Sequence, residues 1–285
     1  MRFIDSHTHV ISPNADRYPL APVGGHQSTW SSDRPVDGAG LIAEMDSAGV
    51  DKAVVVQAST VYGNDNSYVA AMVAAHRDRF VGVFSVDVLA EDGVDRVKQW
   101  LDAGLSGLRL FTTGSTMPGQ AAWLDDPRSF PVWDYCETNG ISICLQMTAD
   151  GIPALRGMLV RFPRIRVLLD HLARPVLSDG PPYAAASALF GLADQNGVFL
   201  KLTNRTVAAA GEGASTPSAF VEQVVANFGA QRIAWGSNFP AAEGSLSTLL
   251  GDAKGALSSL SESDQAAIFA GTAATLYPAL DSARG

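Results

Sequence analysis

The sequence predicts an α/β protein built as a single (β/α)8 barrel. Three observations carry that prediction. Short β-rich apolar runs recur eight times along the chain. Each is followed by a segment with helical spacing, and eight such units are what a parallel barrel needs. No Gly-rich phosphate loop follows the first run, so the competing doubly wound dinucleotide fold lacks its main signature.

The runs cover residues 2–6, 53–58, 80–86, 107–111, 141–147, 166–170, 198–203 and 232–236. Most are continuously apolar rather than alternating, as parallel strands covered on both faces are. The first helical segment, 37–48, carries Leu41, Met45 and Ala48 on one face. The second, 64–78, carries Val69, Met72, Val73 and His76, and the third, 93–103, carries Val94, Val97, Trp100 and Leu101. Segments 130–139, 152–161, 183–196, 217–228 and 246–257 follow, with a closing helix at 262–269. Helix stops are legible at Gly49, Gly104, Asn139-Gly140 and Asn196-Gly197.

At 285 residues the chain is long enough for one barrel domain over 1–285, since such barrels typically take about 250 residues. No linker or composition break divides it. A long loop at about 11–36 is rich in Pro, Ser and Gly and contains Tyr18, His26 and Trp30. Loops of this length in compact domains are usually functional, so it is a candidate lid.

Charge narrows the partners. Lys+Arg 20 against Asp+Glu 29 gives a net charge of −9. A nucleic-acid footprint would be basic, so that partner is excluded, and a small-molecule substrate is expected. An anionic substrate would need local positive charge against the global field. No apolar run approaches the about 18 residues of a membrane span, and MRFIDSHTHV lacks a signal-peptide core. A cytoplasmic protein is expected, and a homo-oligomer stays open. Cys136 and Cys144 are too few for a disulfide framework and read as buried thiols.

In a barrel the chemistry sits at the C-terminal strand ends. Those ends carry His7 and His9; Gln57 and Ser59; Asp87; Arg109; Gln146; His171 and Arg174; Lys201, Asn204 and Arg205; and Asn238. His7 and His9, two residues apart at a strand exit, project the same way and can share a metal, a proton or a substrate oxygen. Arg109 lies between apolar residues and needs a partner, either a substrate carboxylate or hydroxyl, or Asp87 or Asp5. His171 can polarise a carbonyl or transfer a proton. Arg174 can hold a carboxylate or pair with Asp170 or another acid of the rim. Gln57, Ser59, Gln146, Asn204 and Arg205 are further candidate substrate contacts; for Gln57 and Ser59 barrel hydrogen bonding is the alternative, and for Asn204 and Arg205 a solvated loop. Lys201 can neutralise a carboxylate or bridge within the barrel. His76 reads as structural, and Trp133 and Trp235 as core.

The segments MRFIDSHTHV, VVVQAS, GLRLF, LLDHLARP and WGSNFP, in this order and spacing, resemble the amidohydrolase superfamily. The likeness is to its amidohydrolase-2 branch, which holds sugar-lactone and 2-pyrone-4,6-dicarboxylate lactonases, and runs from Phe3 to Tyr277. It implies a (β/α)8 fold and a hydrolase that opens a small hydroxylated or carboxylated lactone. By the same resemblance, His7, His9, His171 and Asn238 are catalytic, and Gln57, Ser59, Arg109, Gln146, Arg174, Asn204 and Arg205 bind substrate.

The chain departs from the metal-dependent pattern in three places. It has Arg109 where those relatives have a lysine or carboxylate, Gln146 for a histidine and Asn238 for an aspartate. His7, His9 and His171 remain to hold a divalent metal such as zinc, without an anionic ligand; the cofactor expectation is one such ion or none. Asn238 also cannot act as a base. Either a histidine takes that role, or the enzyme is a lactone isomerase without net hydrolysis, or the asparagine replaces an aspartate to trap substrate. A non-catalytic metabolite-binding barrel is the reading from another class; a decarboxylase would need the metal.

Overall fold

The computed structural model describes residues 1–281; residues 282–285 of the expected domain lie outside the described residues. Eight parallel strands form one sheet in chain order: β1 (Ile4–Thr8), β2 (Lys52–Val56), β3 (Phe80–Ser85), β4 (Gly107–Phe111), β5 (Ile143–Gln146), β6 (Val167–Asp170), β7 (Val198–Thr203) and β8 (Ile233–Gly236). Each expected run overlaps one of these strands, although β1 extends two residues beyond its run and β2 begins one residue before its own. The sheet rolls shut where β8 meets β1: Asn238 N donates to His7 O and His9 N to Phe239 O, both at 2.9 Å. The fold is a (β/α)8 barrel.

Apolar residues on both faces of the strands make two cores. The outer one, between strands and helices, includes Leu41, Val55, Trp133, Leu200 and Trp235. The inner one fills the barrel with Ile4, Val54, Val81, Val83 and Leu168 and is joined by Leu276 and Tyr277. The C-terminal segment thus plugs the N-terminal end of the barrel. A Cβ at Gly107 would come within 2.8 Å of the Tyr277 ring, so the plug needs glycine there.

The helices start and stop where their caps dictate. Asp37 accepts from Gly40 N at the head of helix Gly38–Ala48, and Gly49, at φ 73°, ends it in the left-handed region. Thr216 and Ser245 cap helices Pro217–Phe228 and Leu246–Ala256 in the same way.

Three expectations need correction. The helix expected over 183–196 is broken into short turns around helix Ser187–Phe190. Arg156 binds the Gly191 carbonyl from the side, and Gln195 N turns instead to Leu192 O, so the helical ladder cannot continue. The helix expected over 64–78 covers only Ser67–Ala75, because the Asn66 amide is spent on the backbone of Asn64 and Ser85, tying this loop to β3. The closing helix continues beyond 269 through a π-turn at Ala267–Gly271 to Leu276. Among the described residues no helix is long and apolar enough to cross a membrane.

Candidate active site

The site begins with an irregularity in β1. Asp5 pairs with Ala53 but Thr8 with Val55, so β1 holds one extra residue over that stretch. A bulge of this kind re-aims side chains at a strand exit. The buried Asp5 carboxylate secures it by accepting from His7 N at 3.0 Å and Ser237 N at 2.8 Å, which ties β1 to β8. Burial pushes this carboxyl up to about 6, against the hydrogen bonds from Ser237 and His7.

Below the strand ends lies a buried ionic network. Lys201 Nζ stands 2.8 Å from Asp170 Oδ1, 3.0 Å from His7 Nδ1 and 3.6 Å from Cys144 Sγ. From sequence Lys201 had two roles open; here it bridges within the barrel. Arg109 Nε meets Asp170 Oδ2 at 3.2 Å, and its two terminal nitrogens donate to Gln57 O at 2.9 Å and Gln146 Oε1 at 3.2 Å. Burial opposes the Asp170 charge, but the Lys201 and Arg109 cations outweigh it and hold the carboxyl well below the usual range. The partner of Arg109 is therefore Asp170, and neither Asp5 nor Asp87. Much of the guanidinium is spent on structure, and Arg174 makes no ion pair with Asp170.

These contacts assign two imidazole tautomers. An ammonium only donates, so His7 Nδ1 accepts from Lys201 and Nε2 carries the proton. That Nε2 has no partner among the described residues. His9 Nδ1 lies 2.8 Å from Val56 O, and a carbonyl only accepts, so Nδ1 donates and Nε2 keeps its lone pair. His171 Nδ1 sits 2.7 Å from Thr203 Oγ1, where either atom can donate. The His7 ring centre is 4.9 Å from that of His9 and 5.1 Å from that of His171. Burial, reinforced by Arg109, lowers His9 to about 3. Burial also lowers His7 and His171 well below the usual imidazole range, so all three are neutral near pH 7.

Backbone geometry aims three of the rim residues. His171, Leu172, Ala173 and Arg174 all have φ between 53° and 58°, and Asn238 has φ 62°. Non-glycine residues rarely adopt this region, and each costs about 1–3 kcal/mol. The cost is met in a tight left-handed turn closed by Arg174 N donating to His171 O at 2.9 Å.

Above this floor is a cavity of about 150 Å3 lined by His9, His171, Arg109, Arg174, Arg205 and Asn238. Ser59, Gln146 and Trp30 also line it. Trp30, from the long first loop, stacks on His9 with ring centres 5.3 Å apart, while Tyr18 anchors the same loop against Tyr68 at 4.8 Å. His26 is exposed. Burial, with Arg205 and Arg109 nearby, lowers Arg174 to about 10.

Not every expected residue reaches this cavity. Gln57 donates its amide to Gly63 O and Asp65 O at 3.0 and 2.7 Å, which is the loop-building alternative. His7 lies beneath the floor. Asn204 lines a neighbouring groove and donates to Leu249 O at 3.0 Å. Asp5 and Thr203 support the site and were not legible as such. For both, the only sequence signal is a polar residue at the edge of an apolar strand.

The same residues test the metal expectation. Among the described residues no group of three or more His, Cys, Asp or Glu side chains is disposed to hold a metal ion. His7 Nδ1 faces an ammonium, and Asp170 is shared by two cations. A divalent ion would meet a positive field without a free anionic ligand. The residues do not fit it, and the shared site expected of His7, His9 and His171 is not formed by these side chains.

Comparison with known proteins places the chain. The amidohydrolase family model matches residues 4–279. An L-fucono-1,5-lactonase from Burkholderia ambifaria is 29% identical over 241 residues, covering 83% of this chain and 80% of the relative. A zinc-bound amidohydrolase from Burkholderia multivorans superposes with a TM-score of 0.76 at 20% identity, covering 98% of this chain and 99% of that one. A probable 2-pyrone-4,6-dicarboxylic acid hydrolase from Acinetobacter baumannii, with citric acid bound, superposes at TM-score 0.76 and 17% identity, covering 98% and 100%. At such identities the structural likeness shows the fold alone. The family match spans nearly the whole sequence, and on that ground the chain belongs to the amidohydrolase family.

Proposed function

We propose that this protein opens a small hydroxylated or carboxylated lactone by hydrolysis at the C-terminal face of the barrel. The observation that carries the reading is the charge of the cavity. Three arginines line it and none of its lining residues is acidic, in a chain of net charge −9. Such a pocket receives an anionic or hydroxylated ring and stabilises the oxyanion of a tetrahedral intermediate. That two of the relatives are named for lactone or pyrone substrates supports the same class.

The residues divide the work as follows. Arg174 and Arg205 hold the carboxylate or hydroxyls of the substrate, and His171 polarises the ring carbonyl. Asn238 orients the attacking water, and His9 Nε2, the free lone pair, takes its proton. When the tetrahedral intermediate collapses, the ring oxygen leaves and receives that proton from His9. Water and lactone thus yield one hydroxy acid. His7, held by Lys201, presents Nε2–H from below. Ser59 and the Gln146 amide nitrogen supply further contacts, and the 11–36 loop acts as a lid through Trp30. No step passes through a metal.

The test is a lactone panel followed by pH-stat in oxygen-18 water, before and after chelation. Acid release with label in the new carboxylate, unchanged by chelator, is the expected result. Conversion to an isomeric lactone without label would replace hydrolysis by isomerisation, and silence across the panel would leave a binding barrel.

A further inference from the structure

The 150 Å3 cavity is small for a binding site, since ligand pockets usually span about 300–1,000 Å3. Arg205, Asn238 and Ala241 also line a groove of about 810 Å3 between the segments that follow β7 and β8. The groove therefore adjoins the cavity, and Arg205 stands at their shared edge.

The groove has its own chemistry. Val207, Pro217 and Leu249 give it apolar wall, and Glu243 and Asp252 set two carboxylates against the charge of Arg205. Asn204 lies at this wall and is only 7% exposed. Its Nδ2 donates to Leu249 O at 3.0 Å, which fixes the amide orientation, because a carbonyl cannot donate. Its Oδ1 is buried and has no partner among the described residues, so this side chain forms wall and the charged groups supply the groove's polar contacts.

We propose that the groove is a second subsite of the same active site, and that it takes a neutral, hydroxyl-bearing sugar ring attached to the lactone. The substrate class is then a glycosylated aldonolactone. A sugar ring offers C–H faces to Val207 and Leu249 and hydroxyls to the charged groups of Arg205, Glu243 and Asp252. The net negative charge of the groove disfavours an anionic substituent, and its scattered polar groups disfavour an alkyl chain. The inference rests on the lactone reading for the inner cavity, but binding alone can test it.

Gly255 provides the probe. It lines the groove within helix Leu246–Ala256, and a Cβ built there meets nothing within 4 Å. Gly255→Trp would fill the groove and replace a poor helix former. Calorimetry would compare gluconic acid, cellobionic acid and an N-alkanoyl homoserine on wild type and Gly255→Trp, with Gly251→Trp as a second blocker. We expect cellobionic acid to bind wild type about tenfold or more tighter than gluconic acid, and the variants to lose that gain while gluconic acid binds them unchanged. Equal binding of the two acids to wild type, or preference for the alkyl ligand, would overturn the subsite. In turnover, the same ratio should appear in kcat/KM for cellobionolactone over gluconolactone. Tight cellobionic acid binding with no lactone opened would sink the lactonase reading and leave the subsite standing.

Discussion

The two ends of the barrel interior are built on opposite principles. At the N-terminal end, Ile4, Val54, Val81 and Leu168 close around Tyr277, and the polar contacts are few. At the C-terminal end, Asp5, His7, Arg109, Asp170 and Lys201 are all buried within the same tube. Cys144 marks the boundary, touching the Tyr277 hydroxyl at 3.1 Å on one side and Lys201 at 3.6 Å on the other. The lower end gains stability by excluding water. The upper end gives up some of that gain, because each buried charge costs several kcal/mol before its partner repays it. What it obtains is a set of imidazoles held neutral, with defined tautomers, under an arginine-lined cavity.

The largest effect should come from breaking the charged end. Lys201→Met leaves Asp170 facing one cation fewer and frees His7 Nδ1 to change tautomer. Loss of one partner of a buried pair costs about 3–5 kcal/mol, to be read by chemical denaturation. Lactone hydrolysis should fall by about a hundredfold or more. Adding Asp170→Asn should restore part of the stability and none of the activity. Recovery of both would show that the network is only structural.

Breaking the apolar end should separate the two properties. Tyr277→Ala removes the plug and should cost about 3–5 kcal/mol, as large buried aromatics do. Well below its melting temperature, the variant should keep kcat/KM within about twofold of wild type. A large fall in kcat would show that the two ends are coupled through Cys144.

A smaller effect concerns acid. An exposed imidazole titrates near pH 6.5, but His7, His9 and His171 are lowered, His9 to about 3. Below pH 6.5 the unfolded chain therefore binds more protons than the folded one, and stability falls as pH drops toward 3. Asp5 acts in the opposite sense. Raised to about 6 from 3.8, it favours folding as pH falls through that window, but it is one group against three. The melting temperature should drop between pH 7 and pH 5, and less steeply in His9→Gln. A flat profile would mean that these histidines are not held neutral.

The fold was largely legible because its signal is local. An apolar run of four to six residues makes a strand, and Gly49 ends a helix by its own backbone freedom. The break near Gly191 was not legible, because it depends on Arg156, 35 residues away in the chain. Within the site, His9, Ser59, Arg109, Gln146, His171, Arg174, Arg205 and Asn238 reach one cavity, as strand-end position implied. Gln57 and Asn204 share that position but turn aside, one into its own loop and one to Leu249.

The sequence by itself determined the order of strands and helices, and with it which end of the barrel would carry polar side chains. That follows from hydrophobic period and turn chemistry, which act over a few residues. Only the tertiary structure decided which cations are free. Arg109 and Asp170 are 61 residues apart, and Lys201 and His7 are 194 apart. Whether they touch depends on barrel closure and on the extra residue in β1, and that contact sets the His7 tautomer and occupies Asp170. Charge and proton position are properties of distances, and those distances exist only once the chain has folded.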